Sequence, residues 1–455
     1  KVLLIIDANS LIHRAYHALP FLSTPIFWIL VIWILSPNPF KAQAALPVLG
    51  QQKIAVILAN FQNTPLPALT KAQVDSFMNG PLATYYAENS YTKMSIQGDV
   101  FGWYTLPVNQ DCTKVPFVDV QQALSEGMKA ADPDIFYPDY AGVYVIAPYC
   151  GAGGASTQGK KSFSTNDGIV SLFTVQVGTP DATDLSTVGH EVGHGLGVHH
   201  GSFLDCGNFT LALTGSTITG FNEWGDGYEM MGLGSTFHFN AFHKEYLGWL
   251  SGSNIENVTS SGVYTIEPIE TATLGTKTLK IQRAGTFPPD FVYVEYRQPI
   301  GFDTPPPNPL SDIYDGALLH VLVTFIPGKS ALLDATPLDD GSPTITLKPG
   351  FSFTDPATNT NITVVSATPS ALTVNVTMGK SDFTPPVVSV TSPSAGDTLS
   401  GIVTFAATAS DVGSGVSRVE FYHTCSGNPL AVLIATDATS PYSVQWDTTG
   451  LPAGS

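Results

Sequence analysis

His190-Glu191-Val192-Gly193-His194-Gly195-Leu196-Gly197-Val198-His199-His200 is the stretch that decides the fold of this 455-residue chain. It fits the pattern H-E-x-x-H-x-x-G-x-x-H at every fixed position. On an α-helix, residues four apart lie one turn from each other and within roughly 40° around the axis, so His190 and His194 can reach the same ion. A chance match to the whole pattern in a chain of this length is on the order of one in ten thousand. The stretch therefore predicts a metal-binding helix.

Gly197 lies where this helix must end and the chain must turn sharply. Glycine adopts a positive φ there without the penalty that a Cβ brings. The turn is expected to bring His200 to the ion as the third ligand, with His199 as the nearest competitor. Three neutral histidines leave one coordination position open, which is the arrangement of catalytic rather than structural zinc. We therefore predict one catalytic Zn²⁺ held by His190, His194 and His200.

Glu191 directly follows the first ligand, so it is expected to lie beside the ion without binding it. From that position it can take a proton from the water that attacks a substrate carbonyl, as a general base. Zinc lowers the pKa of bound water from about 15.7 towards 7 and polarises the carbonyl. The sequence thus predicts hydrolysis with Glu191 as the catalytic residue.

A second motif follows at Tyr228-Glu229-Met230-Met231-Gly232. With the histidines it resembles the metzincin clan of metallopeptidases, and within it the gametolysin family, over roughly residues 50–300. In that family the methionine of a turn beneath the metal precedes glycine, so the resemblance selects Met231 over Met230. It implies an α+β fold with a metzincin-like zinc peptidase domain, and an extracellular endopeptidase acting on protein or glycoprotein substrates.

One position departs from the pattern of some metzincins. Those enzymes place a tyrosine two residues after the turn methionine to stabilise the oxyanion, and Leu233 stands there in this chain. Zinc would then carry most of that stabilisation, or another donor such as Tyr228 would help. His238 and His243, outside the motif, either support the site or simply pack.

Four regions are predicted along the chain. After residue 250 the helical patterns stop and short β-branched runs take over, and Thr384-Pro385-Pro386 marks a stiff joint before a further module. That module resembles bacterial immunoglobulin-like domains, and we expect it to lack its final strand. The regions are an N-terminal extension with a signal-like segment (1–44), a zinc metallopeptidase domain (45–250), a β-sandwich domain (251–380) and an immunoglobulin-like domain (381–455).

The N-terminal extension predicts export. An apolar run of about ten residues, Ile26 to Leu35, precedes the small-residue stretch Ala42-Gln43-Ala44-Ala45. This is typical of a signal peptide cleaved after Ala44, with an uncleaved anchor or a buried strand as alternatives. We expect a secreted or cell-surface protein with no stable membrane span after processing. The first 20 residues resemble the start of the 5′ nuclease domain of DNA polymerase I, but are too few to build one.

Composition agrees with a β-rich extracellular protein, because charged residues make up 12% while Gly (42) and Pro (34) are plentiful. The formal charge of −18 argues against a nucleic-acid partner. Acidic loops make Ca²⁺ a second candidate ion. The four cysteines, Cys112, Cys150, Cys206 and Cys425, allow three pairings, and the sequence does not choose among them.

Two alternatives to the peptidase stay open. One is a cell-surface or matrix-binding protein that contacts cell wall or matrix through its C-terminal β domains, with a secondary peptidase domain. The other is a zinc hydrolase whose substrates are not peptides.

Overall fold

The computed structural model describes residues 2–8, 11–16, 47–113, 116–150, 153–206, 210–211, 220–233, 236–283, 290–304, 311–323, 326–337, 345–379, 386–394, 397–411, 415–416, 418–423 and 432–449. These residues are mostly β-sheet with few helices. The apolar run Ile26 to Leu35, the cleavage position Ala44 and Cys425 lie outside them. None of the helices that they form is long and apolar enough to cross a membrane.

The chain begins with the antiparallel strands β1 (Val2–Ala8) and β2 (Leu11–Tyr16). A mixed sheet then contains β3 (Gly50–Phe61), β4 (Met94–Leu106), β5 (Gly142–Ala147), β6 (Gly154–Ser156), β7 (Lys161–Thr165) and β8 (Gly168–Gly178). Its order is β4-β3-β5-β8-β6, and β7 also pairs with β8. The apolar run Lys53–Leu58 lies within β3, and β5 is the central strand. Strands β4, β3, β5 and β8 run parallel, whereas β6 is an antiparallel edge strand.

Helices cover both faces of this sheet. They are α1 (Lys71–Phe77), a π-helical turn (Met78–Leu82), α2 (Ala83–Asn89), α3 (Pro116–Ala131) and α4 (Leu185–Leu196). A further helix, α5 (Ala241–Tyr246), packs instead with Tyr293 of the strand Asp290–Tyr296. Ile54, Val56 and Leu58 share one hydrophobic core with α1, α2 and α4, while Ala55 and Ile57 pack with α3 on the opposite face. Alternate side chains of a strand point to opposite faces, so a continuous apolar run fits a strand covered on both sides.

Eleven strands form two further sheets. They are β9 (Gly201–Asp205), β10 (Gly220–Asn222), β11 (Ile255–Val258), β12 (Gly262–Ile266), β13 (Thr278–Arg283), β14 (Asp290–Tyr296), β15 (Ala317–Leu322), β16 (Ser330–Leu333), β17 (Ser352–Thr354), β18 (Asn361–Thr368) and β19 (Ala371–Thr377). The seven-stranded sheet has the order β10-β9-β16-β15-β14-β13-β11, and the four-stranded sheet β12-β19-β18-β17. Both contribute to one apolar cluster, as the layers of a sandwich do. Because β9 and β10 precede residue 250, the seven-stranded sheet crosses the domain boundary predicted at that residue.

The C-terminal part is all β. Its strands are β20 (Val387–Ser392), β21 (Ile402–Ser410), β22 (Arg418–His423), β23 (Val432–Asp437) and β24 (Tyr442–Asp447). One sheet has the order β20-β21-β24, and the other has the order β2-β1-β22-β23. Phe405 and Phe421 meet edge to face, with ring centroids 5.1 Å apart, in the core between them.

Cysteine pairing, which the sequence left open, is decided for two residues. Cys112 and Cys150 form a disulfide that joins the segment before α3 to the segment after β5. Cys206 is buried at the end of β9.

Close packing of α4 generates a first prediction. A Cβ at Gly193 would lie 2.4 Å from the Sδ of buried Met231 and 3.3 Å from Phe239. We expect Gly193→Ala to lower the free energy of unfolding by about 1–3 kcal/mol, because the core must shift to admit the methyl group. The measurement is the midpoint of urea denaturation.

The matched control is Gly127→Ala, another glycine inside a helix. There a Cβ would lie 3.5 Å from Val145, which is an ordinary contact. This change should stabilise the protein slightly, by about 0.5–1 kcal/mol, since alanine favours the helix. Equal midpoints for the two variants would contradict the packing argument.

Candidate metal centre

Helix α4 carries the first two predicted ligands. Asp184 caps its N-terminus by accepting a hydrogen bond from the Thr187 amide, and Gly197 ends it with a φ of 112°. Left-handed backbone of this kind is the reason that glycine is needed at the predicted turn. The chain then reverses, and His200 lies directly before β9. The Gly197 turn predicted from sequence is therefore present.

The three predicted ligands come together. One ligand nitrogen from each of His190, His194 and His200 lies within 4.8 Å of the other two, and the rings of His194 and His200 are 4.7 Å apart. In the described ranges, they form the one group of three or more His, Cys, Asp or Glu residues that could hold a metal ion. The same ranges contain no cluster of three carboxylates that could hold Ca²⁺. Calcium binding therefore stays a prediction.

Hydrogen bonds at Nδ1 orient all three rings. The Nδ1 of His190 lies 3.0 Å from the Met230 carbonyl, that of His194 lies 2.9 Å from the Val198 carbonyl, and that of His200 lies 2.9 Å from a Glu223 carboxylate oxygen. Because each partner is an acceptor, Nδ1 carries the proton and Nε2 keeps its lone pair. These residues fit a zinc ion, since neutral imidazoles with free Nε2 atoms are the ligands that zinc requires.

Burial reinforces this protonation state. It lowers the pKa of His190 to about 4 and that of His194 to about 3, because a charged ring would lose its hydration. Both rings are therefore neutral at neutral pH, and protons do not compete with a metal there.

Glu191 lies on α4 between these ligands and is 8% exposed. Burial raises the pKa of its carboxyl group to about 8. Edge strand β6 packs directly against it, since a Cβ at Gly154 would lie 2.6 Å from the Glu191 Cγ. Glycine at this position leaves room for the carboxylate beside the sheet edge.

Both methionines of the predicted turn lie beneath α4. Met231, selected from sequence, faces Gly193, while Met230 faces Gly189, and both are fully buried. Met230 also accepts the hydrogen bond from His190 through its carbonyl oxygen. The turn thus supports the helix through two apolar side chains and one ligand through its backbone.

Tyr228, the possible oxyanion helper, packs in an apolar cluster. Its ring packs on Phe237, in a cluster that also contains Leu318 of the seven-stranded sheet and Ile313 of the short helix before it. Leu233 is 79% exposed. Trp224 does reach a ligand, because its indole N–H donates to the Nε2 of His200 at 3.0 Å. No sequence motif marks this tryptophan.

His238 and His243 are packed among other side chains and are not part of the ligand group. His243 is fully buried, with its Nδ1 2.8 Å from Glu229 and its Nε2 3.0 Å from the Gly328 carbonyl. His238, also buried, meets Glu88 and Lys244. Of the two interpretations that the sequence left open for His238 and His243, packing is therefore the one that the structure supports. His199 is half-buried, and its backbone amide donates to the Gly328 carbonyl at 2.8 Å.

Sequence reasoning also missed Glu223 and Lys329. Glu223 accepts from His200 through one oxygen and from the Lys329 Nζ, at 2.5 Å, through the other. Burial alone would raise the pKa of Glu223, but the hydrogen bonds from Lys329 and His200 lower it, so the carboxylate is ionised at neutral pH.

The choice between His199 and His200 as third ligand gives a second prediction. We expect His200→Ala to weaken zinc binding by more than the 10- to 100-fold loss that follows removal of a ligand's own partner. His199→Ala should bind zinc like the wild type, because its ring is outside the ligand group. Competition with a chromophoric chelator measures both affinities. Weak binding by His199→Ala with normal binding by His200→Ala would reverse the assignment.

The Trp224 contact gives a third prediction. Zinc and the indole N–H compete for the same lone pair on His200 Nε2, so zinc should displace the hydrogen bond and change the emission of Trp224. Fluorescence titration with Zn²⁺ should show this change in the wild type and lose it in Trp224→Phe. Trp103→Phe is the control, because Trp103 donates instead to the Leu69 carbonyl. A full change in Trp224→Phe would refute the competition.

Comparison with known proteins characterises only the C-terminal part. Residues 386–455 match the family described as a bacterial Ig domain. No curated protein matches the chain. Neither comparison supports the resemblance of residues 50–300 to the gametolysin family, so that resemblance remains a prediction. The chain therefore carries a bacterial immunoglobulin-like domain at its C-terminal end, as the sequence predicted.

Proposed function

We propose that this chain is a secreted, zinc-dependent endopeptidase of the metzincin type, which hydrolyses peptide bonds of extracellular or cell-wall proteins. One observation carries the proposal: three histidines offer ligand nitrogens within 4.8 Å of one another, next to a buried glutamate. A zinc ion held by His190, His194 and His200 would supply a Lewis acid for the substrate carbonyl and lower the pKa of a water molecule.

Glu191 has the chemistry of a general acid–base group. Its carboxyl lies in a buried position that raises its pKa to about 8, and a cation bound by its neighbours would lower that value again. A carboxyl group tuned near neutral pH can take a proton from the attacking water and return it to the leaving amine. Acid–base exchange of this kind is what peptide hydrolysis needs, because an amine leaves poorly without a proton.

Strand β6 favours a peptide over a small ester as the substrate. It forms the edge of the mixed sheet and lies against Glu191 through Gly154. An extended peptide can add to such an edge by backbone hydrogen bonds, which would align its carbonyl groups beside the glutamate. Among the described residues, no comparable feature favours the third possibility, hydrolysis of non-peptide substrates.

A second candidate function is attachment to a cell wall or matrix, with the peptidase secondary. The match of residues 386–455 to a bacterial Ig domain favours it. The two functions separate in one assay. The full-length Glu191→Gln variant should still sediment with cell-wall or collagenous material if attachment does not depend on hydrolysis.

Replacement of the general base is the main test. Glu191→Gln keeps the size of the side chain but cannot accept a proton. We expect kcat/KM for a casein or gelatin peptide to fall by about 10²–10⁴-fold, with zinc content unchanged by metal analysis.

Glu126→Gln is the matched control, since Glu126 pairs with Lys129 on the surface of α3 and should leave the rate unchanged. Wild-type hydrolysis by Glu191→Gln would overturn the proposed mechanism. Absence of zinc from the purified wild-type protein, after addition of the metal, would overturn the proposed cofactor.

A further inference from the structure

The third ligand differs from the first two in what holds it. His190 and His194 lie on α4, whereas His200 directly precedes β9, a strand of the seven-stranded sheet. Strand β9 runs parallel to β16, with Gly201 opposite Ser330. The position of the His200 backbone is therefore set by strand pairing with the sandwich, not by the helix.

Glu223 is held at the end of the neighbouring strand. It follows β10, which is antiparallel to β9, and the Ser202 hydroxyl donates to its backbone carbonyl at 2.9 Å. Its carboxylate can then reach the Nδ1 of His200 at 2.9 Å. The sheet thus supplies both the ligand and the acceptor that orients the ligand's ring.

Lys329 extends this chain of contacts into the turn between β15 and β16. Its side chain is 4% exposed, its Nζ lies 2.5 Å from the Glu223 carboxylate, and it also stands over the Phe221 ring at 5.0 Å. A buried ammonium group is costly unless it is paired, so Lys329 and Glu223 hold each other in place.

Backbone atoms of the same turn also contact the loop that carries His200. The Gly328 carbonyl accepts a hydrogen bond from the His199 amide at 2.8 Å. Gly328 has a φ of 79°, and a Cβ on it would lie 2.8 Å from the Gly197 carbonyl oxygen. The turn therefore touches the loop at Gly197, at His199 and, through Glu223, at His200.

From these contacts we infer that Glu223 and Lys329 are positioning residues for the third zinc ligand, so the β-sandwich is an integral part of the metal site. This inference rests on the proposed zinc function. A carboxylate on the outer nitrogen of a histidine ligand fixes its tautomer and direction and makes the ring a stronger donor to the metal. Lys329 acts through Glu223 by holding that carboxylate in one orientation.

The test compares variants of the full chain that remove either of the two contacts, Glu223 with His200 or Lys329 with Glu223. Glu223→Ala and Lys329→Met should each weaken zinc binding by about 10- to 100-fold, measured by competition with a chelator. Lys329→Arg, which keeps a cation over the carboxylate, should bind zinc within a few-fold of the wild type. Absorption of the Co²⁺ form should shift in Glu223→Ala, because the coordination geometry changes.

Lys280→Met is the matched control. Lys280 lies on β13 and pairs with Glu245 of α5 at 2.7 Å, so it also joins the sandwich sheet to a helix without touching a ligand. It should lose a similar ion pair and keep its zinc affinity. Urea midpoints of the metal-free proteins separate lost stability from lost positioning.

Two results would overturn the inference. In the first, Glu223→Ala and Lys329→Met bind zinc as tightly as the wild type. In the second, Lys280→Met loses as much affinity as they do. Either result leaves the proposed function intact, provided that the wild type binds zinc. Failure of the wild type itself to bind zinc would contradict the proposed function instead.

Discussion

The direction of three imidazole rings is the constraint on which the rest of this site depends. Each ring donates its Nδ1 proton to a fixed acceptor, which leaves the Nε2 lone pair as the one that can bind a metal. The acceptors come from three places: the methionine turn, the loop after α4 and the end of β10. Packing of α4 on the turn through glycines, and pairing of β9 with the sandwich, are what bring these acceptors within reach.

Local patterns in the sequence predicted the parts of the site that lie close together along the chain. The spacing of His190 and His194 follows from the helical period, and the need for Gly197 follows from its positive φ. The strand at Lys53–Leu58 was predictable for a similar reason, since an unbroken apolar run suits a strand that is covered on both faces.

What the sequence could not predict arises from distant pairing. Glu223 and Lys329 are 106 residues apart and meet only because β10, β9 and β16 lie side by side. Trp224 belongs to no motif, and Tyr228 was chosen as a donor because it is near the turn, although its ring packs on Phe237. The boundary expected at residue 250 reflected a change in composition, and composition does not reveal that β9 joins a sheet completed later in the chain.

Where the methionine turn and α5 meet the sandwich, the interior contains several buried charged and polar side chains. Glu229 and His243 form an ion pair at 2.8 Å, and both side chains are fully buried. Arg297 forms ion pairs with Glu295 and Asp303, and these three side chains are also buried. Such groups are stable only when their partners are correctly placed, because each lost hydrogen bond leaves a charge without water. The start of α5 and the segment before it are joined to the sandwich by directional bonds, because the Ala241 amide donates to Glu295 and Arg297 donates to the His238 carbonyl.

The pairing of β9 with β16 limits where this chain can be divided in a gene fusion. A cut after residue 250 would strip β9 of β16 and expose the backbone of an edge strand, which invites pairing with other molecules. In the C-terminal part, the apolar cluster of the described side chains comes from β20 to β24 and the segment at Val416, and β22 also pairs with β1. Gene fusions that separate the sandwich from the helix-bearing sheet would thus sever a shared structural unit.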